Sequence, residues 1–122
     1  MTGLSSVGES AVLTPLTTSA YVSLHTADPG NTGANEISGG GYARYGPVTF
    51  ANAGNNPTVA SNTAILTYSA ATAAWGTISY FGIWDAAAAG NFRGSGALTT
   101  PKPVNAGDTA RFAAGALTIT AN

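Results

Sequence analysis

At 122 residues the chain is long enough for one domain to bury a single core. Charged residues supply 7% of it, against about a quarter in an ordinary soluble domain, and Gly, Ala, Ser, Thr and Asn take their place. A formal net charge of -1 offers no basic field to nucleic acid or anionic lipid, and Arg44, Arg93, Lys102 and Arg111 are scattered rather than striped.

A charge so close to zero also removes the repulsion that keeps copies apart, so self-association is expected. The chain has no cysteine, which excludes disulfides and thiolate metal sites. Residues 1–10 carry neither a basic patch nor an apolar run, so no signal peptide is expected there. No stretch approaches the roughly 20 apolar residues of a membrane-spanning helix.

Residues 1–19 are small and polar, with a weak apolar pattern at Leu4, Val7, Val12, Leu13 and Leu16. Glu9 to Leu13 suits a short helical turn that Pro15 would limit, and an extended arm fits equally well. The first strong strand is Ala20–His25, alternating Val22 and Leu24 against Tyr21, Ser23 and His25. It runs into Asp28-Pro29-Gly30-Asn31, where an Asx residue, a fixed-φ proline and a glycine make a turn. A loop follows through Gly39-Gly40-Gly41. The next strand spans Tyr42–Ala51, with Val48 and Phe50 inward and Pro47 at an edge or bulge.

Asn52–Pro57 reads as a loop and Asn62–Tyr68 as a short strand, with Ala64, Leu66 and Tyr68 on one side and Ile65 on the other. Trp75–Trp84 is the richest segment. Strict alternation puts Ile78, Tyr80 and Trp84 on one face and Phe81 and Ile83 on the other, the pattern of a central strand covered on both sides. Phe92–Leu98 carries Gly94 and Gly96, which suggest a bulge or a close backbone approach. A turn at Gly107-Asp108 leads to two short strands, Ala110–Phe112 and Leu117–Ile119. Short strands divided by Gly, Asn and Pro turns point to a sandwich, jelly roll or barrel.

Candidate chemistry is sparse. His25 is the single histidine, so a catalytic triad or zinc site lacks its other members, and a strand histidine bonded near a turn is the better reading. Glu9, Asp28, Glu36, Asp85 and Asp108 are isolated, and the three aspartates sit beside turns whose amides they would cap. Gly39-Gly40-Gly41 matches no phosphate-loop or dinucleotide spacing. Trp75, Tyr80 and Trp84 could stack on sugar rings as in a carbohydrate-binding module, although rings of this size more often belong to a core or interface. No catalytic, cofactor-binding or metal-binding residue is expected.

Several stretches carry a resemblance: Ser23-Leu24-His25-Thr26-Ala27-Asp28-Pro29-Gly30, Gly33-Ala34-Asn35-Glu36 and Gly39-Gly40-Gly41-Tyr42-Ala43-Arg44. Val48-Thr49-Phe50, Trp75-Gly76-Thr77-Ile78 through Trp84-Asp85, and Arg111-Phe112-Ala113-Ala114-Gly115-Ala116-Leu117 follow in order. With these the chain resembles small bacteriophage virion proteins of the tail-fibre-like and head-decoration type. The resemblance implies an all-β fold, and with the turn-divided strands it leads to a jelly-roll-like antiparallel sandwich over residues 20–122; residues 1–19, which lie outside the resemblance, are read from their own pattern as an arm or short helical turn. It implies a structural protein of the virion; the lack of a nucleophile–base set makes a non-enzymatic role the expectation, and the lack of a signal peptide makes synthesis in the host cytoplasm the expectation. The leading expectation is a capsid decoration (cement) homotrimer binding across coat subunits, with the major capsid protein or other virion proteins as partners. The alternatives are a tail-fibre or baseplate adhesin and a free carbohydrate-binding module. Neither nucleic acid nor membrane is an expected partner, and the candidate interface residues are Leu4, Val7, Tyr80 and Trp84.

Overall fold

A computed structural model describes residues 20–53 and 58–121. They form nine strands: β1 (Ala20–His25), β2 (Tyr45–Val48), β3 (Phe50–Ala53), β4 (Thr58–Asn62), β5 (Leu66–Thr67), β6 (Gly76–Trp84), β7 (Phe92–Val104), β8 (Arg111–Phe112) and β9 (Thr118–Ala121). Every ladder is antiparallel. Strand order is β2-β1-β6-β7 in one sheet and β3-β4-β9 in a second, with β5-β8 as a separate pair. The all-β antiparallel expectation is met. The two four-stranded Greek-key sheets of a jelly roll are not among the described ladders. Among the described residues there is no helix long and apolar enough to cross a membrane.

One apolar cluster joins the three sheets. Val22 and Leu24 of β1 and Ile78, Phe81 and Ile83 of β6 meet Phe50, Ala60 and Ile119 from the second sheet, with Leu66 and Phe112 from the strand pair. Phe81 is fully buried at its centre, and truncating such a phenylalanine to alanine typically costs about 3–5 kcal/mol. Gly96 on β7 lets the layers close. A Cβ there would lie 2.6 Å from the Phe81 ring and 2.8 Å from the Thr118 carbonyl oxygen.

Alternation fails at three places. The register between β6 and β7 shifts between Ile78 and Tyr80, so Ile78 packs with Phe81 and Ile83 instead of sharing the half-buried face of Tyr80. Tyr42–Ala51 is two strands in different sheets, divided at Thr49, whose carbonyl accepts the Thr63 amide at 3.1 Å. Sheet switching of this kind forms the corner of a sandwich. Asn62–Tyr68 likewise divides into the end of β4 and β5. Asn62 turns the chain there: its Nδ2 donates to the carbonyls of Ala64 (2.8 Å) and Ala113 (2.9 Å), and its Oδ1 accepts the Leu117 amide (3.0 Å). Ala64 is consequently exposed rather than inward, and Ile65 is 55% exposed. Pro47 falls on β2, an edge strand, as its missing donor requires. Glu9–Leu13 and the whole of residues 1–19 lie outside the described residues.

Candidate functional site

The motif residues converge on one polar clasp at the end of β1. The turn after β1 forms as its sequence dictates: Asp28 Oδ1 accepts the Gly30 amide at 2.9 Å, and the Pro29 carbonyl accepts the amides of Gly33 and Ala34. This brings Glu36 back beside β1, where it makes an isolated bridge with His25. Three glycines in the left-handed region, Gly39, Gly40 and Gly41, then reverse the chain toward Arg44. The Gly40 carbonyl accepts both the Thr72 amide (2.9 Å) and the Trp75 indole N–H (2.8 Å), so the glycine run holds a defined turn.

Arg44 is the centre of the clasp. Its Nε and Nη2 donate to the two oxygens of Glu36 at 2.9 and 3.0 Å, and its Nη1 donates to the carbonyls of Ala89 (2.8 Å) and Ala86 (3.1 Å). The guanidinium also lies 3.7 Å from the Trp84 ring centroid. A planar fork stacked on an aromatic face and paired with both carboxylate oxygens is a role that lysine cannot fill. One side chain thus ties the loop after β1 to the β6–β7 hairpin. Burial would raise the Glu36 carboxyl, but the bonds from Arg44 and Tyr42 outweigh it and hold the group below its ordinary value. Burial, reinforced by the bond to Glu36, raises the Tyr42 hydroxyl, which donates to Glu36 at 2.7 Å and accepts the Leu24 amide at 3.0 Å.

Beneath Arg44 runs a second, largely buried chain of bonds. The Trp84 indole donates to Ser23 Oγ at 2.9 Å, and Ser23 Oγ lies 2.6 Å from His25 Nε2. His25 Nδ1 faces the Ala34 carbonyl at 2.7 Å. A carbonyl only accepts, so Nδ1 carries the proton and Nε2 accepts the Ser23 hydroxyl. Burial lowers the His25 pKa and keeps the ring neutral, with the Ala34 bond partly opposing it. A serine donating to a histidine supplies two of the three members of a nucleophilic triad. Here both residues have zero exposure, and a backbone carbonyl occupies the place of the orienting carboxylate. The pair satisfies buried polar atoms and presents no nucleophile to solvent. Gly82 makes room for it: a Cβ there would lie 2.5 Å from Ser23 Oγ and 2.8 Å from His25 Nε2.

The three aspartates follow the turn-capping reading. Asp85 accepts the backbone and side-chain N–H groups of Asn91 at 2.7 and 2.8 Å, and those bonds hold its carboxyl below the ordinary value. Asp108 accepts the Asn105 amide at 2.9 Å. Among the described residues no three His, Asp or Glu side chains gather as metal ligands would.

Of the candidate interface residues, Leu4 and Val7 lie outside the described residues, and Tyr80 is half-buried on β6. Trp84 is 9% exposed and packs inside its own chain, between Arg44 and Phe92. Trp75 is buried as well, within a ring cluster of Tyr42, Tyr45, Tyr68 and Phe112. The two tryptophans therefore form no open platform for sugar stacking. Sequence reasoning missed Arg44 and Glu36 as partners, since nothing in their eight-residue separation marks a bidentate pair.

Fold and clasp together define an all-β protein whose most developed polar site is a structural fastening. The chain matches the family model of the Podophage GP4 fiber I protein gp80 over residues 5–120, and it belongs to that family. None of the curated proteins matches it. The match begins well before β1 and so takes in most of the segment expected to be an arm.

Proposed function

We propose that this chain is a non-enzymatic structural component of a podophage fibre, carried on the virion and assembled through contacts between protein chains. The observation that carries this reading is the family match over nearly the whole chain. Three features support it: a surface with few charges, a polar clasp that ties the loop after β1 to the β6–β7 hairpin, and serine and histidine side chains committed to internal bonds. The fibre description of the family fits a tail appendage as well as capsid cement, the leading expectation, and the tail appendage is the reading adopted. In this proposal three copies associate about a common axis, with Leu4, Val7 and the half-buried Tyr80 in the contacts.

Particles produced without the chain test the reading. A fibre component leaves heads filled and heat-resistant while adsorption to the host falls. Fragile heads with normal adsorption would instead identify a cement protein.

A further inference from the structure

The four basic side chains divide into two kinds. Arg44 is paired with Glu36 and Arg93 with Asp85. Lys102 and Arg111 make no ion pair among the described residues, and both line a single groove of about 470 Å³ between β7 and the β8–β9 segment. Leu98, Thr100 and Lys102 of β7 form one wall, where β7 bulges from its register with β6. Arg111, Phe112 and Thr118 form the other, and Lys102 Nζ stands 5.4 Å from the Phe112 ring centroid. A chain of net charge -1 thus places at the same opening the two cations that make no ion pair among the described residues.

Among the described strands β7 lies at the edge of its sheet, which by itself would invite an extended peptide to add to the sheet. Its sequence works against that. Pro101 and Pro103 have no N–H to donate, and Lys102 sets a charge between them, the combination by which natural sheets guard an edge. A ligand of this groove must be read by side chains rather than by a backbone ladder. Two cations are too few for a nucleic-acid track, which needs a stripe of them. Threonine hydroxyls, a short apolar wall and two cations, one with a planar fork, suit a compact polyhydroxylated molecule with an anionic group.

We propose that this groove binds an acidic saccharide, with Lys102 and Arg111 holding its carboxylate or phosphate and Thr100 and Thr118 meeting its hydroxyls. The proposal goes beyond assignment to a fibre and stands on the groove alone, wherever the chain sits on the particle.

The test applies the purified full-length protein to uronate-containing, sialylated and phosphorylated oligosaccharides, their neutral counterparts, and a glutamate-rich peptide. At least one acidic saccharide is expected to bind and its neutral counterpart to fail. Lys102→Gln and Arg111→Gln should each weaken binding at least about tenfold, the usual scale for losing a charge-assisted bond. Lys102→Arg should retain binding, and circular dichroism should show all three variants folded. Absence of binding to every acidic saccharide would overturn the proposal. So would equal binding of neutral sugars, binding of the peptide alone, or full binding by the Lys102→Gln/Arg111→Gln double variant.

Discussion

Replacing Arg44 by methionine removes the guanidinium from the clasp and keeps much of the apolar stem. Glu36 is left four-fifths buried with Tyr42 as its remaining side-chain donor. Removing one partner from a buried pair costs about 3–5 kcal/mol, because the other charge stays desolvated and unpaired. The residual exposure of Glu36 and its bond to Tyr42 place the expected loss near the lower end, about 3 kcal/mol. With a urea slope of about 1–3 kcal/mol per molar, the unfolding midpoint should fall by about 1–3 M. The Arg44→Met/Glu36→Leu double variant should be more stable than Arg44→Met, since it withdraws both charges together. Equilibrium urea unfolding of the parent, both single variants and the double variant measures the coupling. An Arg44→Met variant within about 0.5 kcal/mol of the parent, or simple addition of the two single losses, would refute the clasp.

Two further outcomes follow from the buried chain beneath Arg44. Gly82→Ala drives a methyl group against Ser23 and His25 and should lower stability by about 1–3 kcal/mol, the range for overpacking, measured as a reduced thermal midpoint; an unchanged midpoint would refute the close approach. Stability should also fall with acid in two stages. His25 is depressed below its ordinary 6.5, so the unfolded chain takes up a proton first, and stability declines as pH drops from about 6.5 through the lowered folded value. Glu36 is depressed below its ordinary 4.5, so its contribution is complete above that value and lost as pH falls through the folded one. Thermal midpoints across this range that do not move in His25→Gln but do in the parent would assign the first stage.

Local chemistry made some of this structure legible and distance hid the rest. β1, β6 and the turns at Asp28, Asp85 and Asp108 follow from alternation and side-chain capping within a few residues. The corners at Thr49 and Asn62 were not legible, because their bonds run to Thr63, Ala113 and Leu117 on other elements. The two-faced reading of β6 failed at Ile78 because the register shift reflects how β7 is laid against it. The motif Leu-His-Thr-Ala-Asp-Pro-Gly marked the right region, yet its purpose depends on Trp84 and Ala89, more than fifty residues away. The groove likewise needs β7 and β8 brought side by side before Lys102 and Arg111 become neighbours.

The proposed place of this chain in a fibre on the virion is tested most directly by immunogold electron microscopy of purified particles. Antibody against the chain is expected to place gold on the tail appendages and leave the heads bare. Gold spread over the heads, or none on particles when the same antibody recognises the purified protein, would contradict it.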